Sequence, residues 1–127
     1  MKEIKFRAWD KVPYFDDEEP KREMIYFHLY ETRKIENLSL EAVEMQYTGL
    51  KDISDKEIYE GDILQGGYVN KLTGGFESRL YIVEFEKGTF KGKLIGESPY
   101  GDTWLNFLNK KSYVIGNIYE NSQLTEV

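Results

Sequence analysis

The chain has 127 residues, no cysteine, and 17 Lys and Arg against 23 Asp and Glu, for a net charge of −6. That length suits one domain with a core of its own, and the missing cysteines exclude disulfides and thiolate metal sites. Residues 1–60 hold 15 acids and 10 bases while residues 61–127 hold 8 and 7, so bulk electrostatics disfavour nucleic acid, whose phosphates want clustered positive charge.

The first ten residues carry charge where a signal peptide needs an apolar stretch. No apolar run approaches the roughly 20 residues that span a bilayer. The expectation is a cytoplasmic protein with no membrane partner.

Residues 3–9 alternate, with Ile4, Phe6 and Ala8 on one face and Lys5, Arg7 and Trp9 on the other, which predicts a half-buried strand. Residues 10–23 lose that period, hold Pro13, Pro20 and the run Asp16-Asp17-Glu18-Glu19, and read as a surface loop. Met24 to Tyr30 is aromatic and compact, a second strand. Over residues 37–47 the signals conflict. Ser39 can cap a helical turn with Leu40, Val43 and Tyr47 at helical spacing, yet Val43, Met45 and Tyr47 also alternate. A short helical turn and then an extended piece is expected there.

From Gly61 onward five short β-like runs follow: 62–65, 79–85, 89–95, 103–108 and 113–119. Glu86-Lys87-Gly88 is a tight hairpin signal. Gly66-Gly67 and Gly74-Gly75 bracket a loop or ribbon. Five strands with regular turns predict a small, partly open barrel of the SH3-like kind. The fold expected is therefore mainly β, α+β at most. It is a single domain over 1–127, with an N-terminal β subregion of about residues 1–60 packed on a C-terminal barrel of 61–127.

Three segments carry a resemblance: Ile4-Lys5-Phe6-Arg7-Ala8-Trp9-Asp10, then Met45 to Asp52 running on through Lys56 to Ile63, and Val114 to Asn121. In residues, order and span the chain resembles the YopX family of small phage and prophage proteins. It departs from the family's Lys-Asn-Gly-type turn by having Ile53-Ser54-Asp55, with aspartate where a glycine is expected; aspartate tolerates the left-handed conformation better than most residues. The resemblance implies a mostly β fold and a mobile-element origin in bacteria, and it carries over no catalytic residue. Scaffold needs account for much of the motif: Gly49 and Gly61 permit positive φ, Ile58 and Tyr59 suit a core, and Asp62 can bond its own loop's amides.

Candidate chemistry is sparse. His28 is the single histidine, between Phe27 and Leu29, with no obvious partner. Asp52, Asp55, Glu57, Glu60 and Asp62 are acidic but match no EF-hand spacing, and Lys51 and Lys56 would oppose a cation. The acidic run 16–19 is most simply a solvated loop, with phosphate mimicry as the sharper alternative. In the second half Lys87, Lys91, Lys93, Lys110 and Lys111 accompany Tyr81, Phe85, Phe90 and Trp104. Such a set can form a basic, aromatic face for single strands, although strand aromatics are more often core and hairpin lysines more often solubility charges.

Ten tyrosines favour a contact surface over a reaction site. The sequence thus leads to a non-enzymatic interaction or self-assembly module without catalytic residue, metal or cofactor, whose partner is a host or phage protein or a second copy. The alternative is a nucleic-acid accessory protein. That alternative would use a Lys and aromatic face of the barrel, and the candidate binding residues are Lys87, Lys91, Lys93, Trp104, Lys110 and Lys111.

Overall fold

The structure, a computed structural model, describes residues 3–12, 21–96 and 101–126. The architecture is mainly β, and contacts divide the chain into two compact units, Met1–Tyr47 and Thr48–Val127. Among the described residues no helix is long and apolar enough to cross a membrane.

The first unit contains β1 (Lys5–Val12), β2 (Lys21–His28), the single-turn helix α1 (Thr32–Glu36) and the start of β3 (Val43–Lys51). β1 is central. It pairs antiparallel with β2 from Lys5↔His28 to Val12↔Lys21, and with β3 from Phe6↔Gln46 to Trp9↔Val43. β1 therefore runs past the predicted end at Trp9 and β2 starts before Met24, so residues 10–12 and 21–23 of the predicted loop are strand. At their other ends β1 begins only at Lys5 and β2 stops at His28, short of Tyr30. Asp10, Lys11, Arg22 and Glu23 form a polar continuation of the ladder, where backbone pairing persists but no apolar side chain marks it. The acidic run 16–19 lies outside the described residues.

The helical turn also falls earlier than expected. It occupies Thr32–Glu36, and Ser39 opens no helix but a single turn, its carbonyl accepting the Ala42 N–H at 3.2 Å. Asp10 holds Ser39 instead: the buried carboxylate accepts the Ser39 N–H at 2.9 Å, the Ser39 hydroxyl, and the Lys11 N–H at 2.8 Å. Burial works to raise the Asp10 pKa, but these bonds outweigh it and hold the carboxyl below its ordinary value. Ser39 looks like a cap in sequence because the same hydroxyl also accepts the Glu41 N–H, two residues on, at 3.2 Å. The extended piece that follows is present as β3.

In the second unit the later part of β3 neighbours β4 (Glu57–Tyr59). Then come β5 (Asp62–Val69), β6 (Phe76–Glu86), β7 (Thr89–Leu94) and β8 (Thr103–Trp104). A helical turn α2 (Leu105–Leu108), a 3-10 turn (Asn109–Lys111) and β9 (Tyr113–Asn117) complete the unit's main elements. The antiparallel order β8-β7-β6-β5-β9 curls into a half-barrel. Its core is Ile58, Leu64, Tyr81, Val83, Leu105 and Leu108.

The predicted turns form for the reasons anticipated. Lys87 (φ 52) and Gly88 (φ 80) join β6 to β7 in a two-residue turn closed by Glu86↔Thr89; positive φ at both central residues matches the twist of the flanking strands. Asp55 takes φ 72, the left-handed conformation that a glycine would hold. The glycine-bracketed segment is a ribbon, since β5 and β6 stay paired out to Val69↔Phe76.

One predicted strand is corrected. Of residues 103–108 only Thr103 and Trp104 are extended, and Leu105–Leu108 is helical. Leu105 and Leu108 stand three apart and both enter the core, a spacing that a helical turn satisfies and an alternating strand does not. Space for Leu108 is left by Gly92, where an added Cβ would lie 2.5 Å from the Leu108 Cδ2 atom.

Candidate functional site

Among the described residues the second unit holds an open apolar groove of about 560 Å³. Leu105, fully buried, forms part of its lining together with the partly buried Leu50 and Phe90. Trp104 and Phe107 line it too, yet are 49% and 63% exposed. The helical turn explains that contrast. With Leu105 and Leu108 directed into the core, Trp104 and Phe107, also three apart, fall on the adjacent, outward face of the same turn. Thr89 and Asn106 supply the polar lining.

Lys91 lies directly opposite Trp104 across β7 and β8, and its ammonium sits 5.4 Å from the centre of the indole ring. That distance is a cation–π contact. Among the described residues Lys91 is within ion-pair distance of no carboxylate. Glu84, its cross-strand neighbour, pairs with Lys93 at 3.6 Å.

Of the residues singled out in sequence, Lys91 and Trp104 are thus brought together. Lys93 is drawn to Glu84, Lys87 occupies the hairpin turn, and Lys110 and Lys111 belong to the 3-10 turn after α2. Leu50, Leu105 and Phe107 were not singled out. A signal existed in the interleaved i, i+3 pairs of Trp104-Leu105-Asn106-Phe107-Leu108, which a strand reading obscures. For Leu50 no local signal exists.

The motif segments mostly build scaffold. Asp52 is buried, and its carboxylate accepts the N–H groups of Ser54 (2.8 Å), Lys56 (2.9 Å) and Val114 (2.8 Å) together with the Ser54 hydroxyl (2.8 Å). Burial pushes its pKa up, but the bonds from Val114, Lys56 and Ser54 prevail and the net displacement is downward. Asp62 reaches back to the Tyr59 N–H at 2.8 Å. Asn117 accepts the N–H groups of Tyr119 (3.0 Å) and Glu120 (2.8 Å), while Asn121 accepts the Asn117 N–H at 3.1 Å. A Cβ at Gly116 would strike the Asn121 side chain, so this C-terminal motif needs its glycine.

His28 ends β2 with its ring stacked on Tyr30 at 5.0 Å. Among the described residues no three His, Asp or Glu side chains gather as a metal site.

Residues 5–126 match the model of the family described as YopX protein. No curated protein matches the chain. The crystal structure of protein EF1440 from Enterococcus faecalis is similar, with 28% sequence identity and a TM-score of 0.53, covering 97% of this chain and 98% of that one.

Proposed function

The chain belongs to the YopX family, and from that premise we propose that it is a non-enzymatic interaction module, encoded by a phage or prophage and acting in the bacterial cytoplasm. The similarity to a protein of Enterococcus faecalis supports the bacterial setting. The observation that carries the reading is the groove, where two large aromatic side chains stay half exposed beside a buried aliphatic residue. Aromatic anchors around a concave apolar surface are the usual energetic centre of a protein interface, and contiguous exposed apolar surface marks interaction sites.

The test is affinity capture from a bacterial lysate with nuclease present, comparing the natural chain with Trp104→Ala and Phe107→Asp. Both side chains are largely exposed, so the variants keep the fold, which circular dichroism checks. The expected outcome is a protein retained by the natural chain and lost by both variants. Equal retention by all three would remove the groove from the interface.

The Lys91–Trp104 contact favours a second reading, an accessory protein that stacks single-stranded nucleic acid on Trp104 with Lys91 near a phosphate. That reading expects binding to weaken steeply with salt and to vanish when Lys91 and Lys93 are changed.

A further inference from the structure

We infer that the groove reads a short peptide segment that bears a carboxylate next to an aromatic or aliphatic anchor, and that Lys91 is the residue selecting the carboxylate. This rests on the reading of the groove as the interface and specifies the chemistry of what enters it.

The anchor follows from the lining, which is apolar at Leu50, Phe90 and Leu105 and flanked by the exposed rings of Trp104 and Phe107. A cavity of this order takes one or two large side chains. Selection of a carboxylate follows from charge. None of the lining residues is ionisable, and Lys91, lying over the Trp104 ring, places a cation beside the groove. Its cross-strand neighbour Glu84 is engaged by Lys93. A bound carboxylate would give the Lys91 ammonium an ion-pair partner that no described residue supplies.

A nucleic-acid strand presents a phosphate at every nucleotide and needs a row of cations, and here the neighbouring Lys93 is drawn to Glu84. A net charge of −6 repels a polyanion over its whole length. It opposes a single carboxylate only weakly, because salt screens charges beyond roughly 8 Å.

The test is selection of random peptides displayed on filamentous phage against the natural chain, Lys91→Glu and Trp104→Ala/Phe107→Asp, followed by affinities of synthetic winners. The expected winners carry Asp or Glu within two positions of a Phe, Trp, Leu or Ile. They lose roughly tenfold in affinity with Lys91→Glu and regain it with Lys91→Arg. Winners that require Trp104 and Phe107 but show no acidic preference would overturn this inference and leave the groove as the interface. Winners indifferent to Trp104 and Phe107 would overturn both readings. Trp104-dependent self-association in a dilution series, or displacement of the winners by oligothymidylate, would assign the groove to a second copy or to nucleic acid instead.

Discussion

Asp52 shows how a conspicuous acid can serve the fold. Its two oxygens accept four hydrogen bonds, three from nearby Ser54 and Lys56 and one from Val114, 62 residues away. Because its pKa is lowered in the folded protein, the stabilisation is present above the unfolded value, near 4, and is lost as pH falls through the folded one. Asp52→Asn keeps one acceptor oxygen and orphans buried donors, so it should cost about 2–3 kcal/mol at neutral pH. Urea denaturation from pH 7 down to pH 3 should show the natural chain losing stability below about pH 4 and the variant losing less over the same range. Parallel curves for the two would refute this role for the carboxylate.

At the level of elements, the helical turn α2 determines what the second unit exposes. Leu108 fits against Gly92 with no room for a further carbon, so Gly92→Ala should destabilise by about 1–3 kcal/mol. In a Leu108→Ala background the added methyl is left with only ordinary contacts, to Tyr81 Cβ and Cδ1 at 3.5 Å, and the same substitution should then cost little. A double-mutant cycle read by denaturant midpoints checks this; additive effects would mean that Leu108 does not sit over Gly92. The turn also links stability to recognition, because the packing that buries Leu105 and Leu108 is what leaves Trp104 and Phe107 outside.

Across the whole molecule the strands differ in how much they bury. Phe27 is the buried hydrophobic residue described in β2, whereas β5 and β6 bury Ile63, Leu64, Tyr81 and Val83. Regions with fewer buried apolar contacts open at lower free energy. Hydrogen exchange should therefore find the slowest amides in β5 and β6, around Leu64, Tyr81 and Val83, and faster ones in β2. Equal protection in β2 and β6 would mean that the chain opens only as a single cooperative whole.

Strand periodicity, the hairpin at Lys87-Gly88, the left-handed Asp55, the core positions Ile58 and Tyr59 and the family motifs were all readable from the sequence. Each depends on neighbours within a few positions, where backbone sterics and alternation act. Lys91 and Trp104 were legible as a basic and an aromatic residue, but their contact was not, since it depends on β8 pairing with β7. The polar ends of β1 and β2 were missed because pairing there has no apolar signature. Residues 103–108 misled because interleaved three-residue spacings also resemble alternation. Leu50 joins the groove, and Asp52 meets Val114, only after the chain between them has folded. Local chemistry thus determined the strands and turns, while the order and curl of the half-barrel decided which side chains share a surface, because that proximity is a property of the sheet and not of any segment within it.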